Sequence, residues 1–303
     1  MAEYYIAQNL ADELIQIETT DVMTGDRNQS RFLYFQLKRS IRQAKKIDII
    51  VSFLMESGVR MVLDDLKAAL DRGTVIRLLT GNYLGITQPS ALYLIKKELG
   101  NQIDLRFYNQ KGRSFHPKAY IFHNENGSEI YIGSSNVSKS ALTSGIEWNY
   151  RFSSQKDKGN FDLFYSTFLD LFENHSIIID DAELKRYSKS WHKPAVAKDL
   201  EKYDNLEDYP DAKVEPLFQP RGAQIEALYA LEDSRAEGAV KALVQAATGI
   251  GKTYLAAFDS AKYEHVLFVA HREEILKQAA VSFRNVRDSE DYGFFYGNPK
   301  VGL

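Results

Sequence analysis

The 303-residue chain contains no cysteine, which excludes disulfide bridges and thiolate-bound zinc and weakly favours a cytoplasmic setting. No run approaches the ~18 apolar residues of a membrane helix. The N-terminal MAEYYIAQNLADELIQ also lacks the basic and apolar regions of a secretory signal. We therefore expect a soluble cytoplasmic protein with no membrane partner. Charge of one sign is missing too. With Lys+Arg at 38 and Asp+Glu at 41 the formal net charge is -3, so no global basic field draws in nucleic acid and any such surface has to be local. Proline is scarce, at seven residues. Pro194, Pro210 and Pro216 fall within a charged stretch, 185–216, that has no apolar periodicity and reads as a linker. Repeats and low-complexity tracts are absent. The remaining composition, 44% hydrophobic, is enough for two domains with real cores.

Ahead of that linker the patterning predicts alternating strands and helices. IDIIVSF is a strand-length apolar run, followed by Val59, Val62, Leu63, Leu66, Ala69 and Leu70 at helical spacing up to Gly73. TVIRLLTG, SALYLIKKELG and IDLRFY continue as strand, helix and strand, the order of a parallel sheet. AYIF and EIYIG then read as a strand pair around the turn-rich HNENGS. A short helix from Ser138, a strand over 146–152 and a helix over 161–172 follow. Beyond the linker, 221–231 is helical by pattern, and ALVQA and HVLFVA are strand-type runs on either side of another helix.

Between those two runs lies AATGIGKT, residues 246–253. A glycine-rich turn from strand to helix lets backbone N–H groups and the positive end of the helix dipole wrap a phosphate. Thr248, Gly249 and Gly251 shape the turn, Lys252 reaches the β- and γ-phosphates, and the Thr253 hydroxyl joins the Mg²⁺ shell. PRGAQIEAL upstream resembles the adenine-reading segment of superfamily 2 helicases, with Arg221 and Gln224 in the basic and glutamine positions. VLFVAHREEILKQA downstream resembles that family's motif Ia, which implies that His271 and Arg272 contact nucleic acid from a strand end. This resemblance covers 217–303 and stops before the family's Asp-Glu motif and second motor domain. ATP with Mg²⁺ is the implied cofactor. An incomplete motor is expected to bind nucleotide weakly and scarcely hydrolyse it.

A second set suited to phosphate chemistry lies upstream: His116-Pro-Lys118, then Gly133-Ser-Ser-Asn136, then Glu147. Cutting a phosphodiester without a metal requires a nucleophile, cations near the non-bridging oxygens and an acid for the leaving oxygen. His116 can attack, Lys118 supplies charge, Asn136 supplies amide donors and Ser134 and Ser135 hydroxyls. Glu147 can hold a histidine ring in the required tautomer. The acid is missing. The set resembles the phospholipase D superfamily, whose signature runs His-x-Lys, Asp, Gly-Ser-x-Asn and a later Glu. The Asp position here is His123, read as a turn residue, and the departure is similar to the helicase-associated and restriction-type branch. The resemblance implies an αβ sandwich over 32–172, a phosphohistidine mechanism and paired sets, one histidine attacking and the other donating the proton. With a single His-x-Lys in this chain, and His175, His192 and His265 in no matching context, the second set has to come from another copy in a two-fold homodimer.

The expected architecture is α/β throughout: a phospholipase D-like domain over 1–184, a linker over 185–216, and the N-terminal part of a RecA-like helicase domain over 217–303. The expected function is a metal-independent DNA nuclease coupled to a helicase module in restriction or foreign-DNA defence. The alternative is a non-catalytic phosphate- or DNA-binding domain that targets a helicase. RNA is an equally possible substrate, for which Phe107, Tyr108 and Phe115 offer rings to stack on bases, although aromatics beside strands are more often core.

Overall fold

A computed structural model of the chain describes residues 20–26, 31–82, 85–110, 112–194, 200–201, 204, 218–287 and 292–295. It divides into two units, Met1–Asp208 and Tyr209–Leu303. In the first, the strands are β1 (Val22–Met23), β2 (Lys46–Val51), β3 (Val75–Thr80), β4 (Ile103–Tyr108), β5 (Lys118–Asn124), β6 (Gly127–Gly133), β7 (Asn149–Ser153) and β8 (Ser176–Ile178). The helices are α1 (Leu33–Gln43), α2 (Glu56–Asp71), α3 (Pro89–Leu99), α4 (Lys139–Thr143), α5 (Lys158–Asn174) and α6 (Asp181–Ser190).

One eight-stranded sheet runs in the order β1-β7-β6-β5-β2-β3-β4-β8. The strand-helix alternation builds the parallel portion β2-β3-β4, as the patterning predicts. The other half is antiparallel, so the sheet is mixed rather than parallel. The reason is local: Asn124 pairs with Gly127 across a two-residue turn, and a tight hairpin can join only antiparallel strands. β2 sits near the centre, and Ile47, Ile49, Ile50 and Val51 are all buried. On one face Phe161, Phe168 and Phe172 of α5 pack against Ile50, Leu79, Ile121, Ile130 and Phe152. That cluster also holds Tyr108 and Phe115, whose rings stack at 4.4 Å. Phe107 is likewise buried, so these three aromatics are core and offer no surface to a base.

The expected linker over 185–216 begins inside α6, which packs on the first unit. Leu184 and Tyr187 are buried, and the Tyr187 hydroxyl donates to the Thr87 carbonyl at 2.7 Å. Trp191 donates from Nε1 to the Gly85 carbonyl at 2.6 Å. In its described part Lys185, Arg186 and Lys189 are exposed, and the few apolar anchors are too sparse to produce a periodic signal; most of 195–216 lies outside the described residues.

The second unit carries α7 (Ala223–Ala236), α8 (Lys252–Ser260) and α9 (Glu273–Arg287). Arg235 pairs with Asp259 at 2.5 Å between α7 and α8, and Asn285 of α9 donates to the Tyr254 hydroxyl at 2.9 Å. The strands expected at ALVQA and HVLFVA do not form among the described residues. Leu243 and Leu267 are 94% and 87% exposed. Apolar runs become strands only where hydrogen-bonded neighbours and a covering layer exist, and two parallel strands alone are marginal.

Candidate active site

The sheet brings the phosphate-type residues of the first unit to one end. Lys118 opens β5 opposite Val51, the last residue of β2. It is 8% exposed, and its Nζ lies 3.1 Å from Ser52 Oγ, 3.0 Å from the His116 carbonyl and 2.6 Å from His116 Nδ1. A charged ammonium can only donate, so these acceptors take all three of its protons and Nδ1 carries a lone pair. Burial pushes the Lys118 ammonium below the usual lysine range, and the nearby Glu147 carboxylate opposes that shift. His116 itself is exposed. Asn136 is buried, and its Oδ1 accepts from the backbone N–H groups of Ser52 at 3.0 Å and Phe53 at 3.3 Å.

Gly133 ends β6 opposite Asn149. A Cβ there would lie 2.1 Å from the Trp148 carbonyl oxygen and 2.4 Å from Asn149 Oδ1, which no real atom pair tolerates. Gly133→Ala is therefore expected to lower stability by about 1–3 kcal/mol through overpacking. An unchanged midpoint in chemical denaturation would show that the strand ends separate without cost. Next to it, the Ser134 N–H donates to the Trp148 carbonyl at 3.0 Å, and the Trp148 N–H donates to Ser134 Oγ at 3.1 Å. The Ser134 hydroxyl donates in turn to the Glu147 carboxylate. The ring contact expected of Glu147 is thus made by Lys118, because cross-strand pairing sets Glu147 against Ser134. Ser135 is buried, accepting from Asn149 Nδ2 at 2.9 Å and donating to the Ala141 carbonyl at 3.1 Å, so its hydroxyl is committed to the fold.

In the second unit, Gly249 and Gly251 adopt φ of 87° and 75°, and Gly251 caps α8. A side chain is strained in that region, and glycine is not. Lys252 folds back to donate to the Ala246 and Ala247 carbonyls at 3.2 and 2.9 Å. Gln224 of α7 donates to the Ile250 and Gly251 carbonyls at 2.9 and 3.2 Å, and its Oε1 accepts from the Arg221 N–H at 3.0 Å. Gln224 thus touches the loop directly, and Arg221 joins it through its backbone N–H to Gln224. Thr248 is exposed in the loop, and Thr253 lies in the first turn of α8. These donors fit a nucleoside triphosphate: backbone N–H groups and Lys252 for the phosphates, Thr253 for a phosphate-bound Mg²⁺. His271 and Arg272 are exposed, but at the entry to α9 rather than at a strand end, and the Arg272 carbonyl accepts from the Leu276 N–H at 3.3 Å.

Residues 37–169 match the family described as cardiolipin synthase, PLD-like domain. The first unit is phospholipase D-like. Residues 217–301 match the family described as type III restriction enzyme, res subunit, and this match alone supports the fusion to a helicase-related segment. Among solved structures, Nuc from Salmonella typhimurium, a phospholipase D family member, is 20% identical, with 53% of this chain and 97% of that chain covered and a TM-score of 0.42. NucT from Helicobacter pylori is 15% identical, with 50% and 94% covered and a TM-score of 0.38. Comparison with curated proteins gives no match. Among the described residues no helix is long and apolar enough to cross a membrane. No group of three or more His, Asp or Glu among them is placed to hold a metal ion.

In the phospholipase D-like unit, the position of the superfamily's Asp shows a correction. His123 is a strand residue of β5, not a turn residue, because the hairpin turns only after Asn124. Its Nε2 lies 3.1 Å from Asp48 Oδ2 and its Nδ1 2.9 Å from Ser128 Oγ. A carboxylate is present in this region after all, carried by the neighbouring strand β2. Asp48 is fully buried and also pairs with Arg77 at 2.6 Å. Burial by itself would raise its pKa, but hydrogen bonds from His123 and Arg77 and the charges of Arg77 and Lys46 outweigh it, and the carboxyl sits below the ordinary range. Ser52 and Asp48 escape a motif search. Ser52 could have been found from its place after the IDIIV run, since open α/β sheets gather ligand groups at the carboxyl ends of their strands.

Proposed function

We propose that the chain is a DNA nuclease whose phospholipase D-like unit cuts phosphodiesters through a phosphohistidine on His116. The observation that carries this reading is the buried Lys118 ammonium held 2.6 Å from the imidazole of an exposed His116. A phosphate oxygen competing for that ammonium would release the ring. A ring nitrogen then forms a P–N bond as the P–O bond to the leaving strand breaks, and the leaving oxygen takes a proton. Water next attacks phosphorus, the P–N bond breaks, and the proton lost by water restores the acid. Lys118 and the Asn136 amide stabilise the charge that develops on the non-bridging oxygens, while Ser134 and Glu147 form the wall beside them. The acid is the His116 of a second copy, so the active species is a homodimer.

The helicase-related segment makes DNA processing the coherent reading: a motor beside a nuclease has a purpose, and a motor beside a lipase has none. There Arg221, Gln224, Thr248, Gly249, Gly251, Lys252 and Thr253 would hold ATP with Mg²⁺. His271 and Arg272 would meet the strand. Restriction or defence against foreign DNA, in the cytoplasm, is the role in which such a pairing is useful.

Because Lys118 provides positive charge and the Asn136 amide a hydrogen-bond donor, cleavage of DNA by the purified protein is expected to persist in EDTA. Loss of cleavage on chelation with recovery on adding Mg²⁺ would sink the metal-independent mechanism. Absence of cleavage under all conditions, with DNA binding retained, would favour the targeting-domain reading.

A further inference from the structure

Beyond α6, Glu201 lies against the start of α3 and Asp204 against the starts of α2 and α4. Glu201 accepts from Gln88 Nε2 at 2.7 Å, and Gln88 Oε1 accepts from the Glu56 N–H at 2.7 Å. Asp204, at 5% exposure, accepts from the Ser140 N–H at 2.7 Å and from the Ser57 hydroxyl. Ser57 Oγ accepts in turn from the Lys139 N–H at 3.3 Å. Asp204 therefore joins the first turn of α2 to the first turn of α4, through groups that neither helix can satisfy within itself.

That junction leads directly to the phosphate site. Ser138, which caps α4, donates its N–H to the Asn136 carbonyl at 3.0 Å, and the Met55 N–H donates to the Val137 carbonyl at 2.9 Å. Gly58 of α2 is so close to this turn that a Cβ would lie 2.4 Å from Ser138 N. Backbone packed this tightly cannot shift at Ser140 without carrying residues 136–138 with it. Asp204 also lies just ahead of the boundary between Asp208 and Tyr209, on the stretch of chain that leads into the phosphate-loop unit.

We propose that Asp204 is a positioning residue for the phosphate site, clamping the turn that carries Asn136. The inference rests on the nuclease reading for its effect on rate, but not for its effect on structure. Positioning errors of about 1 Å can cost on the order of 10²-fold in rate. Asp204→Ala in the full chain is accordingly expected to lower kcat for DNA cleavage by about 10- to 100-fold with little change in KM. Hydrogen exchange at the amides of 138–141 should speed up by about 10- to 100-fold, the consequence of losing a hydrogen bond to a charged acceptor. Asp204→Asn keeps an oxygen acceptor and should restore most of both.

Normal kcat in Asp204→Ala with normal exchange would overturn the proposal. So would faster exchange with normal kcat, which is the outcome of a purely structural contact, or Asp204→Asn as impaired as Asp204→Ala in both readouts. If the wild-type protein cleaves nothing while exchange at 138–141 responds to Asp204→Ala and recovers in Asp204→Asn, the clamp stands and the nuclease reading fails.

Discussion

Replacing His116 by alanine is expected to lower DNA cleavage by about 10⁴- to 10⁶-fold, the scale on which removal of a nucleophile acts, while stability changes by no more than about 0.5 kcal/mol. The two halves of this expectation have different sources. His116 is exposed and precedes the first residue of β5, so no core contact or ladder bond depends on its ring. Its partner is Lys118, which retains Ser52 and the His116 backbone carbonyl as acceptors when the imidazole is gone. The measurement is cleavage of a labelled duplex by wild type and variant, paired with denaturation curves. Residual activity within tenfold of wild type would mean that another group attacks phosphorus. A second test concerns the pairing of sites: if cleavage requires two copies of His116, His116→Ala mixed in excess with wild type should depress activity as mixed dimers form. Activity that simply dilutes in proportion to wild type would indicate a site complete within one chain.

The largest effect on stability is expected from Asp48. Its carboxylate is fully buried between Arg77, His123 and Lys46, at 2.6, 3.1 and 3.8 Å. Removing one partner of a buried ion pair leaves uncompensated charge, which costs about 3–5 kcal/mol. Arg77 would keep its interaction with Tyr165, the stacking of its guanidinium on Phe168 and Phe172, both at 5.0 Å, and the weak pair with Glu173 at 3.9 Å, none of which is a buried carboxylate. We therefore expect Asp48→Ala to lower the free energy of unfolding by about that amount, read from denaturant midpoints. The same cluster sets an acid limit. Because the folded-state pKa of Asp48 lies below its unfolded value of 3.8, the stabilisation is fully present above that value. It is lost as pH falls through the folded pKa. Wild type should lose stability steeply below pH ~4, and Asp48→Ala should lose it less steeply there. Parallel pH profiles for the two proteins would show that Asp48 is not what makes the fold acid-sensitive.

Much of this molecule was legible along the chain because it depends on short-range rules. The 3.6-residue period marks α2, and of the six positions the pattern predicts Val59, Val62, Leu63, Leu66 and Ala69 are buried, with Leu70 half-buried at the helix end. Ser138 caps α4 as a serine before a short helix should, accepting the Ala141 N–H at 3.3 Å. AATGIGKT reads as a phosphate-type loop because glycine adopts positive φ without strain, and Gly249 and Gly251 both do so. The His116-Pro-Lys118 spacing suffices to place a donor within reach of an imidazole. What tertiary structure alone decided is which distant groups meet. The hairpin makes β5 and β6 antiparallel, but the pairing of β5 with β2 follows from β5 choosing the free edge of β2, a choice between edges that no local pattern records. Asp48 and His123 are ordinary polar residues until adjacent strands set them 3.1 Å apart, and Ser52 joins Lys118 and Asn136 only because β2 ends where β5 begins. The strand-type runs ALVQA and HVLFVA show the converse. Period and composition state a preference for strand, but a ladder forms only between two edges that find each other, and hydrogen bonds with a neighbour are not encoded in either run alone.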